Sequence, residues 1–136
     1  MKMFVTATFK TDENKQDIEL LCSVVRGAGY EDFCFIRDIE RYKKIFSDDH
    51  QLMDRAKLEL LKCDALLIDV TLGAGGGRAI EAGMAFAHDK PVIVIAQTGT
   101  SISVPITGIA STIIEYADID DVLEPLRRFR SSTTAS

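Results

Sequence analysis

The run ALLIDVTLGAGGGRAIEAGMAFA, residues 65–87, decides the fold. Ala65 to Val70 is a nearly continuous apolar stretch, as expected for a central parallel strand covered on both faces. Leu72 to Gly77 follows as a glycine-rich turn. Arg78 to His88 then has the length and composition of a helix. Strand, glycine turn and helix make one βα unit, and the rest of the chain repeats that alternation.

Downstream, Asp89-Lys90-Pro91 breaks the helix. Val92 to Ala96 is a second continuous apolar strand. Gln97 to Gly108 reads as a polar loop, with Gly99 and Pro105. Ser111 to Tyr116 gives another strand, and Asp118 caps a last helix through Phe129. Pro125 falls inside that helix and is expected to kink or shorten it. Upstream, Ser47 is the expected N-cap of a helix whose apolar stripe is Leu52, Ala56, Leu60 and Leu61. Met3 to Phe9, bounded by Lys10 and Thr11, is the first strand. Asp12 to Arg26 is helical, with Ile18, Leu21, Cys22 and Val25 on one face and Gly27 and Gly29 ending it. Asp32 to Ile36 is the second strand. Arg37 to Phe46 is highly charged and of ambiguous structure, and a solvated face or flexible lid suits Arg37 to Lys44 better than a nucleic-acid site.

Strands alternating with helices imply right-handed βαβ units. Five strands in residues 1–130 fit one small doubly wound α/β domain, with residues 131–136 as a polar tail. In such sheets a ligand sits beyond the carboxyl ends of the strands, at a topological switch point. The segments 6–11, 69–81 and 97–107 are therefore where a site is expected.

Composition narrows the function classes. The 136 residues include 46% hydrophobic and 27% charged side chains, with a net charge of −5. An acidic chain is poorly suited to nucleic acid, whose binding needs clustered Lys and Arg. No apolar run reaches the ~20 residues that span a bilayer. The stretch MKMFVTATFK lacks a signal-peptide layout. Cys22, Cys34 and Cys63 sit in apolar runs without a C-x-x-C pair, which suits reduced thiols in a cytoplasmic protein. His50 and His88 are far apart, so no zinc-ligand spacing is present, and no metal or cofactor is expected.

Gly73, Gly75, Gly76 and Gly77 supply a backbone able to approach a ligand closely. The helix after them turns free N–H groups toward whatever binds, which suits a 5′-phosphate or sugar hydroxyls. The loop is neither G-x-G-x-x-G, because Arg78 takes the third glycine's place, nor a P-loop, because no Gly-Lys-Ser/Thr follows. Glu81 lies one turn into a nearly apolar helix and can point back over the loop. Burying a carboxylate there is costly without a partner or a task. Such a carboxylate can act as nucleophile toward a sugar carbon with oxocarbenium character. The plainer alternatives are a tight turn and a solvent-facing Glu81 paired with Arg78.

Cys63-Asp64, the apolar strand, the glycine loop, Gly77-Arg78-Ala79-Ile80-Glu81-Ala82-Gly83-Met84-Ala85-Phe86-Ala87 and Lys90-Pro91-Val92-Ile93 together resemble the nucleoside 2-deoxyribosyltransferase family. That family includes deoxynucleoside 5′-monophosphate N-glycosidases. The resemblance implies a flavodoxin-like fold and a retaining double displacement on a nucleoside or nucleotide. Glu81 matches the nucleophile that attacks C1′. Asp69 stands near a position that in relatives holds an acid close to the base or sugar. Thr6, Ala7, Thr8 and Phe9 match the segment along the ligand, and Gly75 and Gly77 would approach the sugar or phosphate. Thr98 to Ser103, with Thr98 and Ser101 as contacts, would complete a neighbouring subunit's pocket, so a homo-oligomer is implied. Transferases of the family carry a first-strand Tyr that orients the Glu; Phe4 stands there. The family's helix Asp falls at Ala56, with Asp54 two residues off as its substitute.

Three rival readings differ at particular residues. A receiver domain would use Asp69 but needs an acidic pair after the first strand, and Val5-Thr6-Ala7-Thr8 has none. A phosphoribohydrolase of the lysine-decarboxylase-like type expects P-G-G-x-G-T, which this loop lacks. A nucleotide-binding sensor without turnover would fit Phe4 and Ala56.

Overall fold

The computed structural model describes residues 1–10 and 12–134, so Thr11 and the last two tail residues lie outside the described residues. Five strands form one all-parallel sheet: β1 (Lys2–Thr6), β2 (Glu31–Cys34), β3 (Ala65–Asp69), β4 (Val92–Gln97) and β5 (Thr112–Tyr116). Their order is β2-β1-β3-β4-β5. This is the flavodoxin-like doubly wound arrangement, with its switch point at β1 and β3.

Alternation along the strands builds two cores. Met3, Val5, Ala65, Leu67, Ile93 and Ile95 face one side, under α1 (Lys15–Gly27) and α6 (Leu123–Thr134). Phe4, Leu66, Ile68, Val92 and Val94 face the other, under α3 (Asp49–Leu61), α4 (Gly77–Ala87) and the short α5 (Val104–Ile109). The predicted face of α1, namely Ile18, Leu21, Cys22 and Val25, is buried as expected. All three cysteines are free and buried. No described helix is long and apolar enough to cross a membrane.

Several boundaries differ from the sequence expectation, each for a local reason. β1 stops at Thr6, because its partners end there: Val5 pairs with Cys34 and Thr6 with Ile68. Ala7, Thr8 and Phe9 are thereby released into a loop at the sheet's carboxyl edge. β2 ends at Cys34, whose N–H is taken by the Asp38 carboxylate at 3.0 Å, and Phe35–Asp38 winds into a single helical turn, α2. The N-cap of α3 is Asp48 rather than Ser47; its carboxylate accepts the His50 N–H at 2.8 Å. Leu61 points outward instead of completing the α3 stripe. The loop expected over 97–108 contains α5, with Pro105 in its first turn, where a missing N–H costs nothing.

Asp118 caps a 3-10 turn, Ile119–Val122, through a reciprocal capping box with Asp121. Helix α6 then starts at Leu123. Pro125 falls in its first turn, so it ends no helix. The helix runs to Thr134 rather than ending in a polar tail at 131, and the Ser132 and Thr133 hydroxyls donate to the Phe129 carbonyl.

Candidate functional site

The carboxyl edge of the sheet carries two cavities on opposite sides of the β1–α1 loop. The smaller, about 180 Å³, lies on the α4 side and is lined by Thr6, Ala7, Phe9, Phe35, Glu40, Gly77, Arg78 and Glu81, among others. The larger, about 350 Å³, lies on the α1 side and is lined by Ala7, Thr8, Asn14, Asp69, Thr71 and Tyr116, among others. Ala7 borders both.

Glu81 comes to the smaller cavity because α4 packs its Ala82 and Ala85 against the sheet, with Glu81 on the adjacent edge of that face. It is only 8% exposed. Thr6, whose side chain shares the face of Phe4, donates its hydroxyl to Glu81 Oε1 at 2.9 Å. Burial pushes the Glu81 carboxyl up to about 7, against the Thr6 hydrogen bond and the Arg78 charge, which favour the ionised form; Glu40 adds a smaller upward push. Glu81 is thus a desolvated carboxyl held in one orientation, which is the condition of a nucleophile or proton carrier rather than of a surface charge.

The glycine loop delivers α4 to this place. Gly76 is the residue before the helix and takes φ 61° with ψ −135°, a conformation that L side chains rarely adopt. A Cβ there would meet nothing within 4 Å, so the demand is conformational rather than steric. Gly76→Ala is expected to lower stability by about 1–2 kcal/mol, read from thermal or urea unfolding; an unchanged midpoint would show that the loop relaxes freely. No side chain caps α4. Among the described residues Arg78 Nε is buried without a hydrogen-bond partner. The helix entrance therefore offers unused donors to an anionic or hydroxyl-rich ligand.

The structure separates the other expected residues into groups. Thr6, Ala7, Phe9, Gly77 and Glu81 line one cavity together. Thr8 and Asp69 line the other. Asp69 continues the odd-numbered series Ala65, Leu67, so its side chain faces α1 and not α4. There it accepts the Tyr116 hydroxyl at 2.7 Å and the Thr71 N–H at 2.9 Å. Thr71 Oγ1 lies 3.1 Å from the same hydroxyl and accepts the Gln97 N–H at 2.9 Å. That network ties the carboxyl ends of β3, β4 and β5 together. Gly75, Asp54, Thr98 and Ser101 are exposed and border neither cavity. Ala56, at the place of the family's helix acid, is a buried core residue. Phe4 is fully buried, with its ring 5.5 Å from that of Phe33. Thr6, two residues on and on the same face, supplies the hydroxyl that Phe4 lacks.

Sequence reasoning singled out neither Glu40 nor the link from Thr6 to Glu81. Glu40 sits in the charged stretch after β2 and is distinguished there by no periodicity. Its closeness to the end of a strand was the one available signal.

Thr6→Val keeps the shape of the side chain and removes the donor. If Glu81 must be ionised to act, the variant's activity is expected to fall about tenfold and its rise with pH to move upward, because a hydrogen bond favouring the charged form is gone. A pH–rate profile superimposable on that of the parent would exclude this role for Thr6.

No family model matches the chain, and no curated protein matches it in sequence. Solved structures do share the fold. A CMP N-glycosidase from Clostridium botulinum superposes with a TM-score of 0.69 at 20% identity, over 94% of this chain and 99% of that one. A 2-deoxyribosyltransferase from Bacillus psychrosaccharolyticus gives a TM-score of 0.72 at 21% identity, over 90% of each chain. A conserved protein from Enterococcus faecalis V583 gives 0.76 at 14% identity, over 94% and 98%. The first two carry names that fall within the family the sequence resembles. At these identities the likeness establishes the fold; what the chain does is argued from its site.

Proposed function

We propose that this protein cleaves the N-glycosidic bond of a nucleoside or its 5′-monophosphate, with Glu81 as nucleophile, and passes the sugar to water or to another base. The observation that carries this reading is the buried Glu81, aimed by Thr6 into a cavity at the carboxyl edge of the sheet. Glu81 attacks C1′ and the C–N bond breaks, leaving a glycosyl ester on Glu81. Water or a second base then attacks C1′ and releases the carboxylate. The fold shared with an N-glycosidase and a deoxyribosyltransferase supports this class of chemistry.

The cavity of about 180 Å³ is smaller than the roughly 300 Å³ at which drug-sized ligand pockets begin. It suits the sugar, with the base and any phosphate reaching past its rim. Arg78 and the uncapped start of α4 favour a phosphate at that rim. Thr98 and Ser101 are exposed and line neither of the two cavities, which accords with a role in a second copy's pocket. Exposed Ile80 and Phe86 on α4 and Val104 on α5 offer apolar surface for such a pairing. Size-exclusion chromatography with light scattering tests it; a monomer at all concentrations would remove the shared pocket from the reading.

One observation favours a second reading, a nucleotide sensor without turnover: Phe4 and Ala56 stand where the family carries an orienting Tyr and a helix Asp. Incubation with a panel of nucleosides, deoxynucleosides and their 5′-monophosphates, with and without a second base, separates the two. Free base followed by chromatography marks the enzyme. Binding without release of any base marks the sensor.

A further inference from the structure

Glu40 faces the same small cavity as Glu81, and no pairing accounts for it. It follows α2 (Phe35–Asp38) at the end of β2, and its N–H is fixed to the Phe35 carbonyl at 3.1 Å. The next two residues, Arg41 and Tyr42, have φ of 53° and 60°, an uncommon backbone for non-glycine residues. Tyr42 is pinned beyond them: its N–H donates to the Ile36 carbonyl at 2.8 Å, its ring lies 5.2 Å from that of Phe9, and its hydroxyl donates to Glu19 at 2.5 Å. The chain is thus held in a strained path that keeps Glu40 at the cavity. Yet among the described residues the Glu40 carboxyl has no hydrogen-bond or ion-pair partner, whereas the nearby Asp32 and Asp38 are both bound by Arg37. Strain of this kind clusters at functional sites.

Cleavage of an N-glycosidic bond needs a second group, because an unprotonated base leaves poorly. The acids that the family resemblance suggested do not reach this cavity: Ala56 has no carboxyl, Asp54 is exposed, and Asp69 is on the other face of the sheet. We propose that Glu40 is the acid–base residue of this site, protonating the departing base and then deprotonating the water or base that resolves the glycosyl ester. This rests on the N-glycosidic reading given above. In the first step the Glu81 carboxylate forms the bond to C1′, the C1′–N pair passes to the base, and the Glu40 proton goes to a base heteroatom. In the second, Glu40 takes the proton of the incoming nucleophile, C1′ bonds to it, and the pair of the ester bond returns to Glu81. Burial raises the Glu40 carboxyl above its ordinary value, which suits a proton donor. Two carboxyls facing one cavity resist double ionisation. Positive charge growing at C1′ beside Glu81 then favours ionised Glu81 with the proton on Glu40.

The test is leaving-group dependence in Glu40→Gln, with Glu40→Ala as the second variant, in the full chain. The probes are uracil and 5-fluorouracil nucleosides for pyrimidines, and guanine and 7-methylguanine nucleosides for purines, with their 5′-monophosphates. Ordinary bases should be released about 100-fold or more slowly by both variants. The good leaving groups, 5-fluorouracil and the already cationic 7-methylguanine, should be affected far less. Added formate should partly restore Glu40→Ala. Equal slowing of good and poor leaving groups, or no slowing of either, would overturn the role of Glu40 while leaving the N-glycosidic reading intact. No release of any base by the parent protein would overturn that reading, and this role with it.

Discussion

Glu81→Ala is expected to abolish release of free base from every nucleoside or nucleotide that the parent protein cleaves, with a loss of about 10⁴-fold or more. The size follows from what the residue does in the proposed reaction. Among the described residues Glu81 is the carboxyl at that cavity that is both buried and hydrogen-bonded in place, and Glu40, which also lines it, holds the acid–base role in the proposed reaction. The variant should remain folded, since Ala has high helix propensity and neighbouring Ala82 and Ala85 already pack α4 on the sheet. Binding of the ligand should survive, measured by calorimetry or thermal shift. Undiminished turnover in this variant would exclude Glu81 as nucleophile outright.

Glu81→Gln should make the protein more stable at alkaline pH. The folded-state value of about 7 lies above the ordinary 4.5. Between those values the folded state holds a proton that the unfolded chain has lost. Stability from this residue is therefore full below about pH 4.5, falls as pH rises, and levels off above about 7. At about 1.4 kcal/mol per pH unit the loss is about 3 kcal/mol. The substituted amide carries no charge, keeps an oxygen for the Thr6 hydroxyl and escapes that loss. The variant should melt about 10 °C higher than the parent at about pH 8.5 and at nearly the same temperature at about pH 4. A gain of equal size at both pH values, or none at either, would mean that Glu81 is not desolvated as its burial implies. Such a gain is the usual cost of a site in reverse: a group placed for chemistry destabilises the fold that holds it.

The same desolvation explains which parts of the molecule were legible in the sequence. Ala65 to Val70 and Val92 to Ala96 were readable because central parallel strands carry apolar side chains on both faces, although β3 itself ends at Asp69. The glycine loop and the helix bearing Glu81 were readable because Gly76 requires a conformation other residues avoid. The face of α1 followed from spacing alone. What could not be read was which face of the sheet each helix would cover. Asp69 and Thr6 both lie at carboxyl ends of strands, yet only Thr6 looks toward α4. The parity of Asp69 with Leu67 was visible; that α4 packs against the opposite parity was not. Glu40 escaped because residues 37–46 have neither period, and its position depends on two left-handed residues with no glycine to announce them. The short α5 was hidden in a polar stretch where Pro105 suggested a loop, although proline is equally at home in a first helical turn.

The hydrogen bond from Thr6 to Glu81 joins residues 75 positions apart. During synthesis at ~5–20 residues per second, Thr6 waits several seconds for its partner. β1 lies between β2 and β3, so its two edges are also paired only by later chain, at residues 31–34 and 65–68. Until those segments are made, both edges of β1 present unpaired N–H and C=O groups. The site is complete only once α4 has docked, so it is finished later than the strand that carries Thr6.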